Sequence, residues 1–235
     1  MKRLLALAMI ACAGTPALAG TWTPPEGCEV FLTVQGKACR VSNHYRCAAD
    51  ATGDQWRADF DQEGMFFQSR INYEAEWVES IETEQGIVQM LDPGPEDPAR
   101  FSELLASGVD TFAFGLSRNN GSRSSVRGFD RLTGKTFTID GVTLEQTAFD
   151  ATETDDFGNV QRSRGNEYIS REWRIFFAGP GETDLGDGQW RPIDGSPVEF
   201  IFPGEKGFAA TQPIYDCDAL TAAGPESMWR ASHGQ

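Results

Sequence analysis

Few residues in this sequence have the types and spacing that nucleophilic catalysis needs. A serine or cysteine nucleophile requires a base beside it, usually histidine. The 235 residues include two histidines. His233 lies near the end of the chain, and His44 lies among cysteines that we expect to be oxidised. The segment around Ser117 lacks the second glycine of a nucleophile elbow. We therefore predict no catalytic residue, and the sequence leans against an enzyme without deciding the question.

Acidic residues cluster near two predicted turns, where oxygen ligands for a hard cation such as calcium are conceivable. The two groups are Asp150, Glu153, Asp155 and Asp156, and Asp184 with Asp187. Neither group has the spacing of a known calcium loop, and a chain with 35 acidic residues forms such groups by chance. We predict solvated turns, with no metal site and no cofactor.

Two charged residues interrupt otherwise apolar strand faces. Arg171 lies between Ile169 and Trp173 at alternate positions, and Glu79 lies between Trp77 and Ile81. Because buried charges are rarely left unpaired, one hypothesis is that each is buried with a partner, which could be the other. The alternative is that Glu79 marks the end of a strand and that Arg171 reaches solvent or stacks on an aromatic ring.

Aromatic and apolar side chains supply the only candidate binding site. At alternate positions of predicted strands, one set shares the inner face of a curved sheet: Phe67, Tyr73, Trp77, Phe112, Phe114, Phe137, Trp173, Ile175 and Phe177. These residues either form a plain core or line a pocket for an apolar small molecule. The candidate ligand-binding residues are Phe67, Tyr73, Trp77, Arg171 and Trp173.

The beginning of the chain has the pattern of a secretory signal peptide. A basic start, Lys2-Arg3, precedes an apolar run, and Ala17-Leu18-Ala19 provides small residues before Gly20. The run is too short to span a membrane. We predict cleavage near Ala19-Gly20 and a soluble periplasmic or secreted protein. A lipoprotein cleavage at Cys12 is a less favoured alternative, because it leaves a signal of only eleven residues.

The remaining cysteines are Cys28, Cys39, Cys47 and Cys217. An even number in an exported chain predicts two disulfides. If the segments 28–34 and 39–47 form a simple hairpin, Cys28 lies near Cys47, which favours the pairs Cys28–Cys47 and Cys39–Cys217. A turn at Asn43-His44 would instead allow Cys39–Cys47. A zinc site is disfavoured because no Cys-x-x-Cys pair exists.

The net charge disfavours nucleic acid as a partner. It is −15 for the whole chain, and it becomes −17 when Lys2 and Arg3 are removed with residues 1–19. Phosphate backbones and anionic lipid surfaces repel such a protein. Partners stay unidentified, with an apolar small ligand or an envelope protein as candidates.

One stretch sets the predicted fold. From Met65 to Ile81, odd positions are mostly apolar and even positions mostly polar, which is typical of a long, curved or bulged strand. Further alternating runs are separated by turns such as Asp140-Gly141. One helix is predicted over residues 98–107, with Asp97 as its N-cap and Gly108 after its end.

The predicted fold is therefore mainly β. We expect a single domain over residues 20–222, a meander of hairpins that forms a curved antiparallel sheet or partly open β-barrel, with one short helix packed on it. Residues 223–235 are predicted to be a mobile tail.

Three functions are compatible with this fold. The first is a non-catalytic exported protein that binds a ligand or partner. The second is a carrier or chaperone for lipid or lipoprotein, with a hydrophobic pocket under the helix. In element order this arrangement resembles exported lipoprotein carriers of the LolA type, which are curved sheets lidded by helices. The third is a carboxylate-based hydrolase.

Overall fold

The computed structural model describes residues 20–217. The predicted signal peptide, Cys12, His233 and the predicted tail lie outside these residues. The described chain contains thirteen strands and one α-helix. In chain order they are β1 (Cys28–Gly36), β2 (Arg40–Cys47), β3 (Gln55–Phe60), β4 (Met65–Ile71), β5 (Trp77–Glu82), β6 (Ile87–Leu91), α1 (Phe101–Ser107), β7 (Val109–Arg118), β8 (Arg123–Ile139), β9 (Val142–Asp155), β10 (Val160–Ser170), β11 (Ile175–Asp184), β12 (Arg191–Asp194) and β13 (Pro197–Ile201).

All thirteen strands belong to one antiparallel sheet, as the alternating pattern predicts. Strands β1 to β12 follow one another as a meander, and β13 returns to pair with the free edge of β1. The sheet curls so that side chains of β1 and β13 pack against side chains of β9, β10 and β11. It is not closed, since β12 and β13 are its two ends. No helix among residues 20–217 is long and apolar enough to cross a membrane.

The middle of β3 is buried on both faces. Ala58 and Phe60, with the partly buried Trp56, pack into a group that we call the outer cluster, whereas Arg57 and Asp59 lie on the opposite face. The outer cluster also contains Val30, Val41, Tyr45, Ala210 and their neighbours. Segments near both ends of the described residues cover it, because the ring of Trp22 lies 5.1 Å from that of Tyr45 and the Trp22 N–H donates to Ala209 O.

Two disulfides fasten this region. Cys28 is bonded to Cys47 across the β1–β2 hairpin, and Cys39 is bonded to Cys217. These are the pairs that a simple hairpin favours. The second bond holds the C-terminal segment beside the sheet, and two hydrogen bonds add to it: Asn43 Nδ2 donates to Ala210 O, and Gln35 Nε2 donates to Gln212 O.

The long strand predicted over residues 65–81 is wrong in one respect, because the chain folds back in its middle. β4 ends at Ile71 and β5 begins at Trp77, and the two form a hairpin. Asn72 makes the turn, since its Oδ1 accepts the N–H groups of Glu74 and Glu76 while Ala75 adopts a φ of 61°. An asparagine side chain can supply such a turn without glycine or proline.

The predicted helix is correct in place but begins later than expected. Asp97 is not its N-cap, because Asp97 and Ala113 exchange two backbone hydrogen bonds and keep the chain extended there. Arg100 precedes the first helical residue, and Gly108 ends the helix with a φ of 82°. Phe101 and Leu104 bury the inner face of α1 against Ala75 and Ile169.

Candidate functional site

The hairpin formed by β10 and β11 is the unusual element of the interior. The neighbours Tyr168 and Ile169 are both buried, but they belong to different hydrophobic clusters. The buried Phe177 and the partly buried Phe176 are likewise divided between these two clusters. Residues 167–178, which we call the internal hairpin, therefore carry core on both faces. One face packs on β1 and β13, and the other packs near α1.

Hydrogen bonds and ring contacts hold the tip of the internal hairpin. Gln55 Nε2 donates to Trp173 O at 2.7 Å. Arg174 Nε donates to Tyr73 O at 2.6 Å, and Arg174 Nη2 lies 3.0 Å from Glu74 Oε2. The guanidinium also stacks over the rings of Tyr73 and Phe101, at 4.0 and 4.8 Å from their centres. The tip is thus joined to β3, to the β4–β5 turn and to α1.

Three small cavities adjoin this hairpin, and Phe176 lines all of them. The largest, which we call the central cavity, has a volume of about 380 Å³ that includes solvent at its mouth. Its lining is mostly apolar: His44, Gln55, Trp56, Arg57, Ser69, Ile71, Ala75, Trp77, Ile175 and Phe176. Because few polar groups face it, the central cavity suits a small, largely apolar molecule.

His44 is a titratable group that lines the central cavity, and its pKa is strongly lowered. Burial lowers its pKa to about 3, and the nearby Arg57 guanidinium contributes to the decrease. The ring packs edge-on to Phe177, with the centroids 5.7 Å apart. The imidazole is therefore neutral at physiological pH, with one nitrogen that donates and one that accepts a hydrogen bond.

Beside the central cavity lies a group of polar residues that we call the arginine–aspartate cluster: Arg40, Ser42, Arg57 and Asp59. Asp59 Oδ2 lies 3.0 Å from Arg57 Nε and 3.4 Å from Arg40 Nη2, and Ser42 donates to Asp59 Oδ1 at 2.6 Å. Burial alone raises the pKa of Asp59, but the two guanidinium groups and the serine hydroxyl outweigh it and leave that pKa lowered. Burial lowers the pKa of Arg40 to about 10, which keeps it charged at neutral pH.

A second polar group, the acidic cluster, consists of Asp110, Asp130 and Glu167. Asp110 and Asp130 are direct cross-strand partners on β7 and β8, and all three side chains are buried. Burial raises the pKa of Asp110 to about 6 and that of Asp130 to about 7, and the charge of Asp110 adds to the second increase. Burial and the neighbouring Asp130 also raise the pKa of Glu167, which Arg57 partly opposes.

The acidic cluster has hydrogen-bonding capacity that the protein does not use. Among the described residues, the buried atoms Asp110 Oδ1, Asp130 Oδ1 and Glu167 Oε2 have no hydrogen-bond partner. Buried polar groups are normally satisfied, so such atoms need an explanation. Asp110 and Asp130 line what we call the acidic cavity, of about 300 Å³ including its mouth, with Glu74, Ala75, Trp77, Ala99, Arg100, Phe101, Phe112, Phe114 and Phe176. A carboxyl pair with raised pKa values can hold a proton or receive a cation.

The structure does not bring the five predicted ligand-binding residues into one site. Trp77 lines both the central and the acidic cavity, and its ring lies 5.3 Å from that of Phe114. Phe67 is buried near Arg57. Tyr73 is 53% exposed. Trp173 lies at the tip of the internal hairpin and packs against the rings of Phe177 and Phe200.

The remaining residue of that set, Arg171, is half exposed and paired with Glu145. Glu79 pairs with Arg70 at 3.1 Å. The hypothesis that Arg171 and Glu79 pair with each other is therefore wrong, because Glu79 lies opposite Arg70 on the β4–β5 hairpin and Arg171 lies in the turn between β10 and β11. The expectation that all the aromatic residues share one inner face is also wrong, since Phe137 and Tyr73 are exposed and the others are divided among several clusters.

Sequence reasoning missed Arg57, Asp59, Asp110, Asp130 and Glu167. A signal was present in two strands. Asp110 is in phase with Phe112 and Phe114, and Glu167 is in phase with Ile169, so both acids occupy inward positions of alternating runs. In β3 the alternation of Trp56, Ala58 and Phe60 indicated only one buried face.

No protein family, curated protein or solved structure matches this chain. Among residues 20–217 there is also no group of three or more His, Cys, Asp or Glu side chains placed so that they could hold a metal ion.

Proposed function

We propose that this is an exported, non-catalytic protein that binds a small, largely apolar ligand in the central cavity. The observation that carries the proposal is the mostly apolar central cavity between the internal hairpin and β2 to β5, the largest of the three cavities that adjoin the hairpin, with a volume of about 380 Å³ including the solvent at its mouth. Small-molecule sites are concave, mostly apolar and have a few well-placed polar groups.

The polar groups of the cavity favour an uncharged ligand. Gln55 already donates to the carbonyl groups of Trp173 and Arg174, and Arg57 is paired with Asp59. His44 is neutral because burial lowers its pKa to about 3. A neutral hydroxyl or carbonyl group on the ligand is thus the expected hydrogen-bond partner for His44, and an aromatic or alicyclic body suits the rings of Trp77 and Phe176.

Export is supported by two independent features. The two disulfides are typical of an oxidising compartment, and residues 1–19 have the sequence pattern of a secretory signal peptide. A periplasmic or secreted location after cleavage near Ala19-Gly20 is part of the proposal.

The other two functions have weaker support. A lipid or lipoprotein carrier needs room for acyl chains, whereas the volumes of the three cavities, about 380, 300 and 320 Å³, already include open solvent at their mouths, so the enclosed space is smaller. A carboxylate-based hydrolase would use Asp110 and Asp130, whose raised pKa values suit a general acid. Both become outcomes of the experiment below.

Native mass spectrometry of protein purified from an exported fraction tests the proposal. The expected result is an added mass that solvent extraction releases as a small neutral compound. Ile71→Phe, which fills the central cavity, is expected to abolish the added mass, whereas the matched change Ile81→Phe on β5 is expected to leave it. Calorimetric titration with 1-naphthol provides a second readout on the same three proteins.

The outcomes separate the three functions. A long-chain lipid in the extract would favour the carrier, and conversion of the compound during incubation would favour the hydrolase. Protein that carries no added mass and takes up no 1-naphthol would overturn the proposal.

A further inference from the structure

The acidic cavity is a second site that the ligand proposed above does not use. It adjoins the central cavity through Ala75, Trp77 and Phe176, but its polar lining is different. Two aspartates face it from β7 and β8, and the rings of Phe112 and Phe114 lie at alternate positions after Asp110. The cavity thus combines paired carboxyl groups with aromatic walls.

The hydrogen bonds of the acidic cluster leave free acceptors at this cavity. Asp110 Oδ2 accepts the N–H of Arg100 at 2.9 Å, but Asp110 Oδ1 has no partner. Asp130 Oδ1 and, next to Asp130, Glu167 Oε2 are also without partners. Each of these side chains is at least nine-tenths buried. Water is therefore not available to these oxygens as it is at the surface, and a bound donor would satisfy them.

Other charged groups near the cluster do not neutralise it. Glu74, which also lines the cavity, is engaged by Arg174 and Ser102. The Arg100 side chain is 56% exposed and lies 4.0 Å from Glu103. The groups that act on the cluster are Asp97, Arg100 and Glu103 near Asp110, and Arg57 near Glu167. The two negative and two positive charges among these four groups balance, so together they do not compensate the carboxyl groups of the cluster.

We propose that the acidic cavity binds a small organic cation, a primary ammonium ion whose apolar part rests on Trp77, Phe112 and Phe114. A primary ammonium has three N–H donors and no acceptor, which complements the unpaired oxygens of Asp110 and Asp130. Aromatic faces attract such cations as well as their alkyl groups. A net charge of −15 also favours the approach of cations over anions.

Two other occupants, a metal ion and a proton, must be distinguished from an ammonium ion. A hard metal ion requires six or more oxygen ligands, and most of the remaining cavity wall is apolar. A single proton shared between Asp110 and Asp130 satisfies the pair without any ligand. The proton and the ammonium ion compete for the same oxygens, so binding of the amine must release protons near neutral pH, and the affinity must increase from pH 5 to pH 8.

Isothermal titration of the mature protein with n-propylammonium tests the proposal, with 1-propanol as the uncharged control of the same shape. The expected result is saturable binding of one amine and no saturable binding of the alcohol. The apparent enthalpy at pH 7 should differ between phosphate and Tris buffers, because protons are released on binding.

Variants locate the binding. Asp130→Asn is expected to weaken the amine by about tenfold or more, since a charge-assisted hydrogen bond is lost. The matched control is Asp150→Asn, which removes the same charge from an exposed position on β9, and its affinity should stay within about twofold of the wild type. Trp77→Leu is expected to weaken binding while Asp110 and Asp130 stay in place.

Three results would overturn the proposal: equal binding of amine and alcohol, equal loss in Asp130→Asn and Asp150→Asn, or affinity that does not rise with pH. Circular dichroism shows whether Asp130→Asn is folded. If it is unfolded, two measurements on the wild type still test the proposal: the binding of the amine compared with the alcohol, and the dependence of the apparent enthalpy on the buffer. Native mass spectrometry of Asp130→Asn keeps the two sites separate, because the neutral ligand of the central cavity should still be present.

Discussion

The arginine–aspartate cluster and the acidic cluster are both buried inside the same sheet, yet they differ in how their charges are satisfied. Asp59 is surrounded by Arg40, Arg57 and Ser42, and its pKa is lowered. Asp130 faces another carboxyl group, and its pKa is raised to about 7. A carboxyl group inside a protein is stabilising or destabilising according to its partners and not according to its depth.

This difference indicates a structural role for the arginine–aspartate cluster and a binding role for the acidic cluster. The charges of the arginine–aspartate cluster compensate one another, so this cluster can hold β2 and β3 together without a ligand. The acidic cluster has unused acceptors and weakens the folded state when it ionises, which is typical of positions that serve a bound group.

The largest expected effect is the loss of the compensating charge at Asp59. Asp59→Asn leaves Arg40 and Arg57 buried without their carboxylate, and we expect the free energy of unfolding at pH 7 to fall by about 3–5 kcal/mol. Urea denaturation followed by circular dichroism measures this. A loss below about 1 kcal/mol would show that the two clusters do not differ in the way described.

At Asp130 we expect substitution to change the free energy of unfolding in the opposite direction, toward greater stability. Its pKa is raised to about 7 in the folded protein, against about 4 in an unfolded chain. Between these values the folded protein binds more protons than the unfolded chain, so stability falls as the pH rises from about 4 to about 7. Asp130→Asn removes this contribution.

At pH 8 we therefore expect Asp130→Asn to be more stable than the wild type by about 2–4 kcal/mol, and near pH 4 to equal it within about 0.5 kcal/mol. Urea denaturation at a series of pH values gives the comparison. A variant that is less stable than the wild type at pH 8 would contradict the destabilising role of the acidic cluster.

The internal hairpin carries Glu167 of the acidic cluster, and its tip offers a milder test. Arg174→Ala removes the hydrogen bond to Tyr73 O, the ion pair with Glu74 and both ring contacts, and we expect a loss of about 1–2 kcal/mol. Hydrogen exchange of residues 171–176 should become faster. Arg171→Ala in the same turn is the control, because its pair with Glu145 is exposed.

The smallest effect is expected at that exposed pair. Glu145→Gln should change the free energy of unfolding by no more than about 0.5 kcal/mol, since solvent and salt screen such charges. Denaturation in 0.05 M and 1 M NaCl, concentrations chosen as about the practical extremes of screening, checks this. A loss as large as that of Asp59→Asn would show that an exposed ion pair contributes as much stability as a buried one.

The sequence predicts the sheet, the helix and the turn at Asp140-Gly141, because strand alternation and capping residues are local signals. It does not predict the turn at Asn72, where side-chain acceptors replace glycine. It also does not predict the internal hairpin, because residues 169–177 alternate as one continuous strand would, and the turn at 171–174 contains no glycine or proline. Asp110 and Asp130 are adjacent because of the register between β7 and β8, and no local sequence pattern indicates that register.

The covering of the outer cluster has a consequence for the order of folding. Cys39 and Cys217 are 178 residues apart, and the segment around Ala210 completes a surface that β1 to β3 form much earlier in synthesis. Until the last part of the chain arrives, Tyr45, Ala58 and Phe60 face water, and the Cys39 thiol is free to bond with Cys28 or Cys47 instead. We therefore expect slow oxidative folding, acceleration by a disulfide isomerase, and aggregation of chains cut before residue 210.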